Sequence, residues 1–455
     1  MNKRQFLKSL LASGVGLSSY SALAGQMSMI NAMAKSSTSL AKPAGYKALV
    51  CIFLYGGNDS YNMLIPTDNS DYQIYAGVRQ NLAIAQDSLT PLTTVSNLPY
   101  NVGLPSYMSP IGHLFAQGNL AFVNNVGPLV EPTLKSAIET DSANLPPQLF
   151  SHNDQQKLWE TAGTNINDLA GWAGRMVDLI GDTSSNSLSP NISFAGNNIM
   201  QTGNSFQPYS MTAEGAPMFS ALNPQHDWNQ ARINIFDRLL ATDSHAIGGA
   251  YSAILNRARA NALLVNQALD STPELQTTFS DDSLSQELAM AARLIAARNT
   301  LSMDRQVFFI GFGGWDTHDR QVDDHPRLLT TLSNAMHSFN NAIEELGLAQ
   351  DVTTFTASDF GRTLTSNGDG TDHGWGGHQM VMGGAVNGGQ FFGTMPELAL
   401  GSKDDVGDGR MLPTTSCEEY GAQLARWFGL SDSEITQVFP TLNRFNQDNL
   451  AFLTS

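Results

Sequence analysis

Residues 47–57 read KALVCIFLYGG, a continuous apolar run that ends abruptly in two glycines. An unbroken apolar run of this length, bounded by glycines, predicts a strand that is buried on both faces of a parallel sheet. Four further runs of this kind follow along the chain, at residues 119–126, 306–312, 352–356 and 379–382. The sequence therefore predicts a buried sheet built from strands that lie far apart in the chain.

Helical patterns fill the intervals between these strands. Apolar residues recur at helical spacing in residues 107–117, 155–161, 169–180, 228–269, 284–298 and 326–346. Strands that alternate with helices predict an α/β fold in three layers, with a mostly parallel sheet and helices on both faces. We interpret residues 184–224, which are rich in Asn, Ser, Gly and Pro, as an irregular insertion. Residues 45–455 are thus expected to form a single domain.

The N-terminus has the pattern of a targeting segment. Residues 1–34 combine a basic start (Lys3, Arg4 and Lys8) with an apolar stretch and small-x-small cleavage candidates at residues 22–24 and 32–34. The basic start resembles a twin-arginine signal with Lys3 in place of the first arginine, which leaves ordinary secretion open. We expect the export machinery to deliver the protein to the periplasm or the medium, with residues 35–44 as a linker. The alternative is an anchor that is never cleaved.

Composition excludes several classes of partner. The formal net charge is −17, and only 14% of the residues are charged. An acidic surface does not suit nucleic acid or anionic lipid, so neither is an expected partner. The apolar stretch near the N-terminus is too short to predict a membrane span. No membrane span is expected in the mature chain either. The two cysteines, Cys51 and Cys417, are interpreted as buried thiols.

Acidic and imidazole side chains follow four of the predicted strands. They are Asp59, Asp316, His318, Asp359, His373 and His378. Open α/β sheets bind ligands beyond the carboxyl ends of their strands, so these residues are expected to converge. Carboxylates and imidazoles together suit a divalent metal, with zinc as the first choice and manganese, iron or calcium as alternatives. Each aspartate taken alone could equally be a turn or helix cap.

Three further residues are candidates for catalysis. Ser151 and His152 stand where a helix is predicted to begin, and a helix N-terminus attracts anions and activates a nearby hydroxyl. Ser151 could equally be a simple N-cap. Arg362 could hold an anionic substrate oxygen or pair with a nearby carboxylate. There is no Gly-x-Ser-x-Gly motif around Ser151, which sets aside a Ser-His-Asp hydrolase.

Five motifs together resemble a large family of exported bacterial proteins of unknown function. They are GGND at residues 56–59, SH at 151–152, GWDTH at 314–318, DFGR at 359–362 and TDHGWGGH at 371–378. The C-terminal half also resembles the sulfatases and alkaline phosphatases, where a buried strand precedes a Ser/Ala-Asp-His-Gly motif. Here the strand precedes Ser-Asp-Phe-Gly at residues 358–361.

The second resemblance implies roles for particular residues. Asp59 resembles the metal ligand of the first strand, and Ser151 resembles the nucleophile. Asp316 with His318 resembles one metal site. Asp359 resembles an aspartate of the other site, and His378 or His373 resembles its last histidine.

Two departures qualify these implied roles. Phe360 stands where the superfamily has a metal-binding histidine, and the spacing between Asp316 and His318 is shorter than usual. Either one metal binds, or His373 and Asp372 replace the missing ligand, or turnover has been lost. The implied function is a metal-dependent hydrolase acting on small phosphate or sulfate esters. The alternatives are a non-catalytic binding protein that keeps the fold, or a metal or ligand carrier.

Overall fold

The computed structural model describes residues 45–163, 165–180, 188–218, 220–224, 226–241, 246–446 and 450–454. The predicted signal peptide and linker, residues 1–44, lie outside the described residues. Within these ranges, no helix is long and apolar enough to cross a membrane.

The strands, in chain order, are β1 (Lys47–Tyr55), β2 (Ile65–Pro66), β3 (Leu89–Pro91), β4 (Val102–Pro105), β5 (Leu120–Gly127), β6 (Asn191–Ser193), β7 (Tyr209–Ser210), β8 (Arg305–Gly313), β9 (Val352–Ser358), β10 (Arg362–Ser366), β11 (Thr371–His373), β12 (Gly377–Met382), β13 (Phe391–Phe392) and β14 (Thr415–Ser416). The helices are α1 (Asn69–Arg79), α2 (Ser109–Ala116), α3 (Lys135–Glu139), α4 (His152–Thr161), α5 (Trp172–Ile180), α6 (Gln230–Ala241), α7 (Ala246–Asp270), α8 (Ser283–Ala296), α9 (Gln321–Glu345), α10 (Cys417–Phe428) and α11 (Asp432–Val438).

The central sheet has the strand order β13-β5-β12-β9-β1-β8-β6-β7, with β14 paired to β5. β1 lies at its centre and pairs in parallel with β8 and β9, so that Cys51 stands opposite both Phe309 and Phe355. β12 is antiparallel to both of its neighbours, β5 and β9. The other pairings in this sheet are parallel. A mostly parallel sheet, as predicted, is confirmed.

Each face of the sheet is covered by its own apolar core. Alternate residues of β1 point to opposite faces, so Val50 packs with one core and Cys51 with the other. The first core includes side chains of α2, α8 and α9, and the second includes side chains of α5, α10 and α11. This double coverage explains why β1 reads as an unbroken apolar run. It also confirms the three-layer α/β architecture.

Local sequence sets where several of these helices begin. α10 and α11 each start with a capping box, in which Ser416 pairs with Glu419 and Ser431 pairs with Glu434. Asp282 is the N-cap of α8, and its carboxylate accepts a hydrogen bond from the backbone N–H of Ser285. Such caps satisfy backbone donors that the first helical turn leaves free, and each contributes about 1 kcal/mol.

The structure departs from the sequence interpretation in residues 184–224. This segment is not a plain insertion, because β6 and β7 extend the central sheet from its β8 side. Both strands are only two or three residues long, too short to produce a pattern in the sequence. The long helical pattern at residues 228–269 corresponds to α6 and α7, and residues 242–245 between them lie outside the described residues. Cys51 and Cys417 are free and buried, as predicted.

Candidate metal centre

Acidic and imidazole groups meet at one edge of the central sheet. Asp316 follows β8 and Asp359 follows β9, both at the carboxyl ends of parallel strands. His373 ends β11, just before β12 begins. Because β12 runs antiparallel to β9, its start lies at the same edge as the end of β9. Because of these strand directions, the segment before β12 lies at the edge where β8 and β9 end.

Three side chains, those of His152, Asp316 and His373, direct ligand atoms toward a common point, and His318 lies beside them. One ligand atom each from His152, Asp316 and His373 lies within 4.8 Å of the other two. Asp316 Oδ1 is 3.6 Å from His152 Nε2, 3.3 Å from His373 Nε2 and 3.2 Å from His318 Nε2. His318 Nε2 is 2.8 Å from His373 Nε2. A tetrahedral ion with bonds of about 2.1 Å needs ligand atoms about 3.4 Å apart, which is close to these separations.

The opposite ring nitrogen of each histidine already has an oxygen partner. His152 Nδ1 is 2.6 Å from Asp359 Oδ2, and His373 Nδ1 is 2.7 Å from the carbonyl oxygen of Phe150. His318 Nδ1 is 3.1 Å from Asp372 Oδ1. Carboxylate and carbonyl oxygens only accept hydrogen bonds, so Nδ1 is the donor in each pair. A neutral imidazole then carries its lone pair on Nε2, as a metal ligand requires. The residues present therefore fit a divalent metal.

Arg362 holds Asp316 in place. Its Nη1 donates to Asp316 Oδ1 at 2.8 Å and to the carbonyl oxygen of Gly56 at 2.9 Å. Its Nε and Nη2 bond to the hydroxyl and carbonyl oxygens of Thr371. Burial acts to raise the pKa of Asp316, but Arg362, with His318 and His152, brings that pKa below its usual value. Arg362 is completely buried. The structure thus places it in the alternative role, a salt bridge, and not as an open clamp for substrate.

Asp359 lies beneath His152 and is fully buried. Its Oδ2 accepts from His152 Nδ1, from the Gln156 side chain at 3.0 Å and from the backbone N–H of Gly56 at 3.2 Å. The hydrogen bond from His152 to Asp359 raises the pKa of His152, with a further contribution from Asp316. Asp359 therefore supports a candidate ligand and does not itself join the convergent group.

Asp59 is not brought to this group. Its carboxylate is completely buried and contacts the side chains of Arg79 and Gln321. Gln321 Oε1 in turn accepts from Thr371 Oγ1 at 2.7 Å, so this buried network reaches the residue that holds Arg362. Sequence reasoning missed Arg79 and Gln321. Arg79 lies on an amphipathic helix, where arginine is usually exposed, so nothing in the sequence indicated that it is buried. Gln321 lies only five residues after Asp316, and this closeness to the GWDTH motif was a signal that could have identified it.

His378 also lies apart from the convergent group. It is 1% exposed, its Nδ1 faces the backbone N–H of Asn125 at 3.3 Å, and its ring packs edge-on against Tyr61. Complete burial lowers its pKa to about 3, so the ring is neutral. His378 follows the start of β12 by one residue and points into the body of the sheet. A histidine inside a strand and a histidine before it look alike in the sequence.

Ser151 precedes α4 and is bonded within its own helical turn. Its hydroxyl donates to Asp154 Oδ2 at 2.7 Å. In the described part of the chain, the backbone N–H groups of His152, Asn153 and Asp154 have no hydrogen-bond acceptor, as expected for a first helical turn. The same turn supplies His152, and Phe150 just before it supports His373. The start of α4 therefore adjoins the histidines and presents free backbone donors.

Phe360 fills the space on one side of the histidines. Its ring centroid is 4.9 Å from that of His152 and 4.6 Å from that of His373. A side chain at Gly57 would overlap this ring. The aromatic ring thus packs where the resemblance to phosphatases had implied another metal-binding histidine. The arrangement fits one ion.

A family model matches residues 46–432, which is most of the chain. The family is described as "Protein of unknown function (DUF1501)". The chain belongs to this family. The five motifs had predicted a resemblance to a family of unknown function, and the family model identifies that family. No curated protein matches the sequence.

Several solved structures are similar to this member of the DUF1501 family. One is the sulfatase PsFucS1 from Pseudoalteromonas sp., with 9% sequence identity and a TM-score of 0.34. The similarity covers 86% of this chain and 69% of that chain. Another is the lipoteichoic acid synthase LtaP from Listeria monocytogenes, at 8% identity and TM-score 0.31, covering 80% and 74%. A mutant of the alkaline phosphatase PafA overlaps at 11% identity and TM-score 0.28, covering 70% and 64%. PsFucS1 and PafA carry the names of the two enzyme classes that the sequence resembles, the sulfatases and the alkaline phosphatases. At TM-scores this low they do not establish the activity of this chain.

Proposed function

We propose that the protein is an exported metal-dependent hydrolase of small phosphate or sulfate esters. The observation that carries the proposal is the convergence of His152, Asp316 and His373 beside His318, with Nδ1 of each histidine bonded to an oxygen. Export is supported by the signal-like sequence of residues 1–34. The metal is a transition ion, with zinc as the first choice for two imidazoles and one carboxylate that have a third imidazole beside them.

A bound divalent ion would polarise an ester oxygen and offset the charge of an attacking group. The chain's own residues position the partners around it. Asp359 and Phe150 fix the orientation of His152 and His373, and Arg362 fixes Asp316. The free backbone N–H groups at the start of α4 suit the oxygens of a phosphate or sulfate group.

Ser151 is the proposed nucleophile. Its hydroxyl donates to Asp154, so the lone pairs of Oγ are left available to attack. Asp154 is a carboxylate within hydrogen-bonding distance of that hydroxyl, which is the arrangement of a nucleophile with an adjacent base. Arg362 is excluded as a clamp in this proposal because four of its five N–H groups donate to protein oxygens and the side chain is completely buried.

A second candidate function is a binding or carrier protein that keeps the ion without turnover. The packing of Phe360 against two of the histidines favours this alternative, because it leaves the group suited to one ion. Arg362, committed to Asp316, also leaves the substrate without a buried guanidinium partner.

Three variants separate these functions when metal content and hydrolysis of an aryl phosphate and an aryl sulfate are measured together. We expect the wild-type protein to hold about one equivalent of transition metal per chain and to hydrolyse one of the two esters. Asp316→Ala and His373→Ala should lose both metal and turnover. Ser151→Ala should keep the metal and lose at least 100-fold in kcat. The matched control is His113→Ala, at an exposed histidine on α2, which should behave as wild type.

Each outcome has one meaning. Metal without turnover of either ester supports the carrier and contradicts the hydrolase. Turnover that survives Ser151→Ala removes the nucleophile assignment. A wild-type protein that binds no transition metal after loading contradicts both functions.

A further inference from the structure

A cavity lies beside β14, beyond the carboxyl end of β5. Its volume is about 750 Å³, within the range of pockets that take small molecules. Leu129, Leu412 and Phe445 form its apolar side, and all three belong to a small core cluster that also packs against Phe150. None of the candidate metal ligands lines it. The cavity is therefore separate from the metal centre.

Two buried carboxylates line this cavity, and each uses only one of its oxygens. Glu419 is 8% exposed, and its Oε2 accepts from the backbone N–H and hydroxyl of Ser416 in the capping box of α10. Asp404 is also 8% exposed, and its Oδ2 accepts from the backbone N–H of Glu397 at 2.9 Å. In the described chain, Glu419 Oε1 and Asp404 Oδ1 have no hydrogen-bond partner, and neither is sealed from solvent.

A third acceptor accompanies them. Thr415 lines the cavity, is 3% exposed, and its hydroxyl has no partner among the described residues. Buried polar groups are normally paired, because leaving one without a partner costs about 1–3 kcal/mol. Two carboxylate oxygens and a hydroxyl, all on buried residues that line one cavity, therefore take their hydrogen-bond donors from a ligand or from solvent.

The charge of the lining selects among donor-bearing ligands. Lys135 faces this cavity, but its ammonium donates to the carbonyl oxygens of Gly401 and Ser402. Lys403 is exposed at the rim. A largely buried carboxylate gains most from a cation that also donates hydrogen bonds, and an ammonium group does both. The apolar side formed by Leu129, Leu412 and Phe445 suits the hydrocarbon part of such a ligand.

We propose that this cavity binds a small organic amine, with its ammonium group between Glu419 and Asp404 and its apolar part against Phe445. The site is independent of the metal centre, so the binding does not require the ion. A ligand with one ammonium group and one aromatic ring satisfies both sides of the cavity at once.

Calorimetric titration with 2-phenylethylamine tests the proposal, and 2-phenylethanol serves as the neutral analogue of the same shape. We expect the amine to bind at least 10-fold more tightly than the alcohol, in metal-loaded and in chelator-treated protein alike. Glu419→Gln and Asp404→Asn should each weaken the amine at least 10-fold. Glutamine at position 419 keeps the capping box, so the variant tests the charge and not the fold of α10.

The chain supplies a matched control for this experiment. Glu434 has the same capping-box role on α11, is only partly buried, and does not line the cavity. Glu434→Gln should bind the amine as wild type does. Three outcomes would overturn the proposal: no amine binding at 10 mM, equal binding of the amine and the alcohol, or binding of a neutral sugar such as glucose in preference to both. Normal hydrolysis by Glu419→Gln would leave the metal-centre proposal untouched.

Discussion

At the scale of single residues, the hydrogen bond that Nδ1 of each histidine makes to an oxygen distinguishes this cluster from imidazoles that lie close together by chance. His152 is the clearest case, because its partner Asp359 is completely buried and aligned by Gln156 and Gly56. Such outer partners fix the ring orientation and the tautomer of a metal-binding histidine. Their loss weakens metal binding without removing any ligand.

Replacing Asp359 with asparagine should weaken the affinity for zinc by about 10- to 100-fold. The amide keeps the size of the side chain but removes the charge that faces His152 Nδ1, so His152 becomes a poorer ligand. The measurement is competition for zinc against a chelator of known affinity.

The control for this prediction is Asp432→Asn, an exposed aspartate at the start of α11. It should bind zinc as wild type does. An Asp359→Asn protein with unchanged zinc affinity would show that Asp359 has no part in the metal centre.

The sequence predicted the convergence of Asp316, His318 and His373 because each stands beside the end or start of a buried strand. Asp359 and His378 stand in similar positions, yet one supports a ligand and the other is buried in the sheet. The difference depends on where a side chain points, and that is set by tertiary packing. The identity of a single residue does not reveal the direction in which its side chain points.

At the scale of elements, the close approach of the turn after β9 to the segment before β12 shapes the centre. The backbone N–H of Gly361 donates to the carbonyl oxygen of Trp375, and Gly361 accepts from Gly374, both at 2.8 Å. A Cβ atom at Gly361 would overlap the carbonyl oxygen of Gly376. Glycine is needed here because two backbones lie in contact.

Gly361→Ala should lower the free energy of unfolding by about 1–3 kcal/mol, because backbone on both sides must move to admit a methyl group. Urea denaturation followed by tryptophan fluorescence measures the change. The matched control is Gly249→Ala, at an exposed glycine within α7 with open space around it. Alanine is favoured over glycine in a helix by about 0.5–1 kcal/mol, so this control should be slightly stabilising. Equal effects of the two substitutions would contradict the packing argument.

The directions of the strands were harder to predict than their positions. The run at residues 47–55 became β1 with the expected bounds, since burial on both faces leaves a continuous apolar signal. The apolar run of β12 gave no sign that it is antiparallel, because burial on both faces looks the same in either direction. Short edge strands such as β6 and β7 depend on pairing with β8, so no local pattern marks them.

At the scale of the whole molecule, stability depends on pH through Glu160, a buried acid whose proton the folded state keeps to a higher pH than the unfolded state does. Glu160, on α4, is 6% exposed, and burial raises its pKa to about 7. Its Oε2 accepts from the backbone N–H of Ile199 at 3.0 Å. In the unfolded chain a glutamate ionises near its ordinary pKa of about 4.3. The folded state therefore keeps a proton that the unfolded state releases.

The contribution of Glu160 to stability should thus fall as the pH rises from about 4.5 to 7 and stay constant above that range. Glu160→Gln cannot ionise and keeps an acceptor for Ile199. Relative to wild type, the variant should gain on the order of 2 kcal/mol between pH 5 and pH 8. Unfolding by urea at the two pH values measures this gain.

Glu139→Gln, at an exposed glutamate of α3, is the control and should show no such dependence. A Glu160→Gln protein whose difference from wild type is the same at both pH values would show that Glu160 is ionised in the folded state throughout.

The pairing of Arg362 with Asp316 has a consequence for the order of events at the centre. With the imidazoles neutral, the carboxylates of Asp316, Asp359 and Asp372 outweigh the single guanidinium of Arg362 by two formal charges. An approaching oxyanion would be repelled until a divalent ion cancels that excess. Cation first and anion second is then the favoured sequence of association, and an excess of anion cannot substitute for a missing ion.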